Sequence, residues 1–156
     1  MELINRTQGI IELERYFEYL DGVRSRLPQG ARNFVNLSYH YDFSDKKCPH
    51  DSWLEYINIY EEGLGPRKNE RSISIKSRFL GAYQDGHFEI IYHRVSKYTA
   101  ENFACVDLVD VDGHGDWLID EVILLQSGEI SHEIEFSHGI RWKIVCEDLS
   151  YSWLGP

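Results

Sequence analysis

Five side chains in one glycine-rich stretch have the spacing of a calcium loop. In Asp110-Val-Asp112-Gly-His114-Gly-Asp116-Trp-Leu-Ile-Asp120-Glu121, the residues Asp110, Asp112 and His114 take the first, third and fifth ligand positions. Gly115 takes the turning-glycine position and Glu121 the twelfth, where a bidentate carboxylate belongs. Asp116 adds a further acid to the same stretch. Calcium is a hard cation that wants an all-oxygen shell, and His114 offers nitrogen where an oxygen is expected. The flanks also read as strands where a calcium loop has helices. An acidic β-turn whose carboxylates face water is therefore the simpler reading, with calcium as the alternative.

Other candidate groups are weaker. His132, Glu133, Glu135 and His138 suggest a transition-metal site, but strand alternation turns His132 away from Glu133 and Glu135, so the three do not converge. His132 reads as a histidine at the core edge, satisfied by a hydrogen bond. His114, Asp116 and His138 sit in loops, and their spacing leaves open whether they meet. A nucleophile needs a base and an orienting group beside it. Ser52 follows His50-Asp51 but lacks a glycine elbow, Cys48 is expected in an accessible loop, and Cys146 alternates into the core. Gly63-Leu-Gly65-Pro66 places proline where a phosphate loop needs a donor N–H. No catalytic set emerges, and no cofactor beyond the calcium alternative is implied.

The elements that must hold these residues are mostly strands. Between residues 130 and 136, and again from 140 to 148, apolar side chains hold every second position. A three-residue loop Ser137-His138-Gly139 with left-handed Gly139 would set Ile134 opposite Trp142, Glu135 opposite Arg141 and Glu133 opposite Lys143. Further strands are predicted at 34–43, 53–60, 72–83, 88–98, 104–109 and 117–125. Asp85-Gly86 reads as a two-residue hairpin pairing Tyr83 with Phe88, Gly81 with Ile90 and Phe79 with Tyr92. One amphipathic helix is predicted over about 7–22, with Thr7 as cap, Ile10, Leu13, Phe17 and Leu20 as its apolar stripe, and Gly22 as its stop.

The composition narrows the function. With 16 basic and 26 acidic residues the formal charge is −10, which repels phosphate backbones and anionic membranes. Arg67, Lys68 and Arg71 form too small a basic group to reverse that field. Three cysteines, Cys48, Cys105 and Cys146, have no paired-motif spacing, so a reducing compartment is expected. No signal segment or spanning run is read, and a cytoplasmic protein of one domain over residues 1–156 is the expectation.

Pro49-His50-Asp51-Ser52-Trp53-Leu54, followed by Ile57 and Ile59, then Ser74-Ile75-Lys76 and the strand at 88–95, carries a resemblance. Over residues 49–98 the chain resembles several small bacterial families in which a His-Asp pair precedes antiparallel strands. Some are of unknown function and some are grouped with immunity proteins of toxin systems. The resemblance implies an antiparallel sheet and a non-enzymatic, partner-binding role. It also implies structural roles for His50, as a hydrogen-bonded strand-entry residue, and Asp51, as a turn former.

The expected fold is α+β: an N-terminal helix on a curved, mainly antiparallel sheet of about eight strands spanning about 34–153, as a partly closed barrel or two-layer sandwich. The expected function is an acidic protein-binding module, an immunity-like inhibitor meeting a partner with a basic surface. The rival is a small-molecule or metal-binding protein, or an enzyme, with its site near residues 110–121.

Overall fold

The computed structural model describes residues 1, 3–7, 10–102 and 113–155. Two short strands, β1 (Asn5–Thr7) and β2 (Ile10–Glu12), pair with each other and lead into helix α1 (Glu14–Val23). A 3-10 turn over Arg24–Arg26 connects to a second helix, α2 (Gln29–Val35). Six long strands follow: β3 (Trp53–Leu64), β4 (Glu70–Leu80), β5 (His87–Asn102), β6 (Trp117–Leu124), β7 (Ile130–Phe136) and β8 (Ile140–Leu154). They form one antiparallel sheet in the order β3-β4-β5-β8-β7-β6, with the helices packed on it. The fold is α+β. No described helix is long and apolar enough to cross a membrane.

The closing hairpin pairs as the alternation predicts. Ile134 faces Trp142, Glu135 faces Arg141 and Glu133 faces Lys143, while Gly139 adopts a left-handed φ of 77°. Ile134 and Trp142 are buried, and Arg141 reaches Glu135 at 3.0 Å on the other face. Apolar burial and charge pairing specify the same register here, so nothing competes with it.

The Asp85-Gly86 hairpin is corrected. Phe79 pairs with Phe88 instead of Tyr92, a slip of four residues, and the connection runs from Gly81 to Gly86, closed by the Gly81 N–H bond to the Gly86 carbonyl. Trp153 explains the longer loop. A Cβ at Gly81 or Gly86 would lie 2.8 or 2.4 Å from its ring, so the loop folds round an indole delivered by the far end of β8. An even slip keeps the pleat, and Ile75, Phe79, Phe88, Ile90 and Tyr92 all remain fully buried.

Two further readings are overturned at the N-terminal end. The helix begins at Glu14 rather than near Thr7, which lies in β1, and Gly22 falls inside α1. Its buried side chains are Tyr16, Leu20 and Val23, while Ile10 and Phe17 are exposed. The predicted strand at 34–43 is instead the end of α2 followed by turns. A distant residue sets α2: Asp148 on β8 accepts the Gly30 and Ala31 amides at 3.0 and 2.8 Å, taking N–H groups that a local cap would otherwise satisfy. The predicted strand at 104–109 lies outside the described residues.

Helix α2 touches β8 so closely that a Cβ on Gly30 would stand 1.7 Å from the Leu149 carbonyl oxygen, whereas Gly22 has nothing within 4 Å. Opposite outcomes follow for the same substitution. In urea titrations Gly30→Ala should lower stability as α2 is forced from β8, and Gly22→Ala should raise it by up to about 1 kcal/mol through helix propensity.

Candidate functional site

The two edges of the sheet meet at one corner. The Asp51 amide donates to the Trp117 carbonyl at 2.8 Å, the Trp117 amide donates to the Ser52 carbonyl at 3.0 Å, and Trp53 forms an isolated bridge with Asp116. Beyond that corner β3 and β6 separate, and the sheet stays open. Irregularities at Leu54/Tyr56 in β3 and Trp117/Ile119 in β6 supply the local bend.

His114, Asp116 and His138 come together beside this corner. With Trp53 and Leu54 they line an open cleft of about 580 Å³. Two glycines make the approach possible: Gly113 and Gly115 have φ of 87° and 79°, and a Cβ on Gly115 would stand 2.2 Å from the Ser137 Oγ. The His138 Nδ1–H donates to the Gly113 carbonyl at 3.0 Å, leaving Nε2 for any further bond. The Trp53 indole N–H donates to the Asp116 carboxylate at 2.5 Å. His114 lies edge-on to Phe136 and Trp142, and burial, aided by the neighbouring His138, lowers its pKa. It is an uncharged ring at neutral pH. Behind it an apolar groove of about 270 Å³ runs over Ile57, Ile59, Ile75, Tyr98 and Trp142.

Glu121 is elsewhere. It is buried, and its carboxylate accepts the Leu3 and Ile4 amides at 3.1 and 3.2 Å. Asp110 and Asp112 lie outside the described residues. Among the described residues no group of three His, Cys, Asp or Glu side chains is placed to hold a metal ion.

The nucleophile candidates are enclosed. Cys48, expected in an accessible loop, is buried, donates its thiol to the His40 carbonyl, and is pushed up to about 12 chiefly by burial. Ser52 is fully buried, and burial followed by the charge of Asp148 pushes Cys146 up to about 12. Neither thiol yields a thiolate at neutral pH. His50 and Asp51 act at the entry to β3: the His50 Nδ1–H donates to the Leu118 carbonyl at 2.7 Å, and Asp51 turns the chain with φ of 62°.

A buried polar cluster escaped the sequence reading. Asp120 accepts hydrogen bonds from His40 Nε2 at 2.9 Å and His132 Nε2 at 3.0 Å, and all three side chains are at most 2% exposed. His40 Nδ1 faces the Phe34 carbonyl at 3.2 Å, so each of its ring nitrogens stands against an acceptor. His132 Nδ1 faces the Tyr92 hydroxyl at 2.9 Å. Burial alone would raise the Asp120 carboxyl, but the charge of His40 and the bonds from both histidines outweigh it and hold it far below the carboxylate range. Closed to solvent, the cluster ties β6, β7 and the turns after α2 together. The register of β6 and β7 carried its signal, since Asp120 pairs with Ile134 and Val122 with His132, which makes Asp120 and His132 diagonal neighbours.

Comparison with protein-family models, with curated proteins and with solved structures gives no match.

The cluster has a measurable signature. Asp120→Asn removes the carboxylate that both buried histidines bind and should cost about 3–5 kcal/mol. The Asp120 pKa is lower in the folded state, so its stabilisation is complete above the unfolded value of about 3.9 and disappears as pH falls below it. Wild type should lose stability more steeply than Asp120→Asn from about pH 4 downwards in paired denaturation curves.

Proposed function

We propose that the chain is a non-enzymatic protein-binding module whose contact surface is the open side of the sheet around β3. The observation that carries this reading is a group of exposed large apolar side chains: Ile57, Ile59 and Tyr98 border one groove and are 39–48% exposed, and Trp53 and Tyr60 are exposed on the same edge strand. Apolar surface gathered in this way marks an interaction site, and aromatic anchors dominate interface energetics. The net charge of −10 speeds encounter with a cationic partner. An inhibitor of the toxin-immunity kind, acting in a bacterial cytoplasm and covering a basic toxin surface, is the finer form of this reading and accords with the resemblance over residues 49–98.

A second reading rests on the cleft of His114, Asp116 and His138, whose neutral His114 ring and apolar groove suit a small amphipathic molecule. It ranks lower because the cleft is open.

Immobilised protein challenged with lysate of the source cells separates the two. Wild type should retain a protein at low salt, lose much of it near 1 M salt as screening shortens the field, and lose it at both salts when Ile59 is replaced by Lys. Equal retention by Ile59→Lys would contradict the surface assigned here.

A further inference from the structure

The two edges of the sheet are treated in opposite ways. Along β6, alternate residues present backbone groups outward, and side chains satisfy them in turn. The His50 ring donates to the Leu118 carbonyl at 2.7 Å, and the Tyr41 hydroxyl donates to the Asp120 carbonyl at 3.0 Å. The Val122 and Leu124 amides donate to the hydroxyls of Tyr16 and Tyr19, each at 2.7 Å. An edge so covered cannot accept another strand.

Among the described residues, edge strand β3 has no such covering. Past the bridge at Trp53 its outer edge meets neither a strand nor a capping side chain among the described residues, although the strand runs on to Leu64. Unpaired N–H and C=O groups in a row are a template for one kind of occupant, an extended chain. The faces specify its side chains. Ile57 and Ile59 pair with Ser77 and Ile75 on the inner face and border the apolar groove, so an added strand would place every second side chain over that groove. Tyr56, Asn58, Tyr60 and Glu62 alternate on the outer face. β3 carries three glutamates and neither Lys nor Arg. Arg78 and Arg71 of β4 bind Glu55 and Glu61, while Glu62 on the outer face accepts from the Ser74 hydroxyl, and exposed Tyr60 on the same face offers an aromatic ring to a cation.

Building on the protein-binding reading, we propose that β3 receives its partner by strand addition, and that the added segment alternates apolar residues, seated in the groove, with basic residues on the outer face. Self-pairing is disfavoured by charge, because two copies, each of net charge −10, would meet with their Glu62 side chains on the shared outer face.

A fluorescently labelled ten-residue peptide alternating valine and lysine serves as the probe, titrated with the full chain by anisotropy. Two companion peptides carry N-methyl groups, one on its valine amides and the other on its lysine amides. All amides of one residue type point to one side of an extended strand. The valine-lysine peptide should bind, a valine-glutamate peptide should bind at least tenfold more weakly, and only one methylated peptide should lose tenfold or more. Ile59→Lys should also lose tenfold, with Tyr98→Lys across the groove as the second variant if the first does not fold. Equal binding by both methylated peptides, binding indifferent to both variants, or dimerisation of the free protein in sedimentation would overturn strand addition. Failure of the valine-lysine peptide to bind, while Ile59→Lys still abolishes retention of a lysate protein, would sink strand addition and leave protein binding standing. Loss of neither peptide binding nor lysate retention in the variants would sink both.

Discussion

A carboxylate in a desolvated interior persists only when it is paired, and the structure is organised around one such group. Asp120 sits on edge strand β6, and its partners come from elsewhere: His132 from β7 and His40 from the turns that follow α2. Because His40 also binds the Phe34 carbonyl and accepts the Cys48 thiol on its own carbonyl, the pair fixes a stretch of chain with little regular structure. That stretch supplies Tyr41 and His50, two of the side chains that cover the β6 edge. Removing the charge of Asp120 would therefore loosen more than one ion pair: it would free the segment that seals one side of the sheet.

The sealing is one-sided, and the curvature makes this consequential. Among the described residues the edges meet where Asp51, Ser52 and Trp53 reach Asp116 and Trp117, and the sheet curls without closing. Its inner face is filled with Phe79, Phe88, Trp117, Phe136 and Tyr92 beneath the helices, and runs out as an open apolar groove beside β3. A stably folded half carries an unfilled half. The net charge of −10 opposes pairing of that edge with a second copy, which is how an exposed strand is retained for a partner without aggregation.

What could be read in the sequence depended on how local its cause was. The β7–β8 register was legible because burial, turn chemistry and charge agreed within residues 130–146. The slip at residues 81–86 was hidden because its cause is Trp153, and α2 was missed because Asp148 holds the amides of Gly30 and Ala31. Alternating Tyr39, Tyr41 and Phe43 imitated a strand that does not form. His114, Asp116 and His138 were legible as candidates, but their meeting depends on the corner made by Trp53 and Asp116. The Asp120 cluster joins residues 40, 92, 120 and 132, a separation that no motif spans.

The opposite treatment of the two edges is the central claim, and residue-resolved amide hydrogen exchange of the free protein tests it directly. The Val122 and Leu124 amides, held by tyrosine hydroxyls, should exchange as slowly as core amides of β5 and β8. Alternate amides of β3 between residues 54 and 64 should exchange orders of magnitude faster, since water is their partner. Uniform protection along β3 would mean that this edge is covered, and would contradict the account.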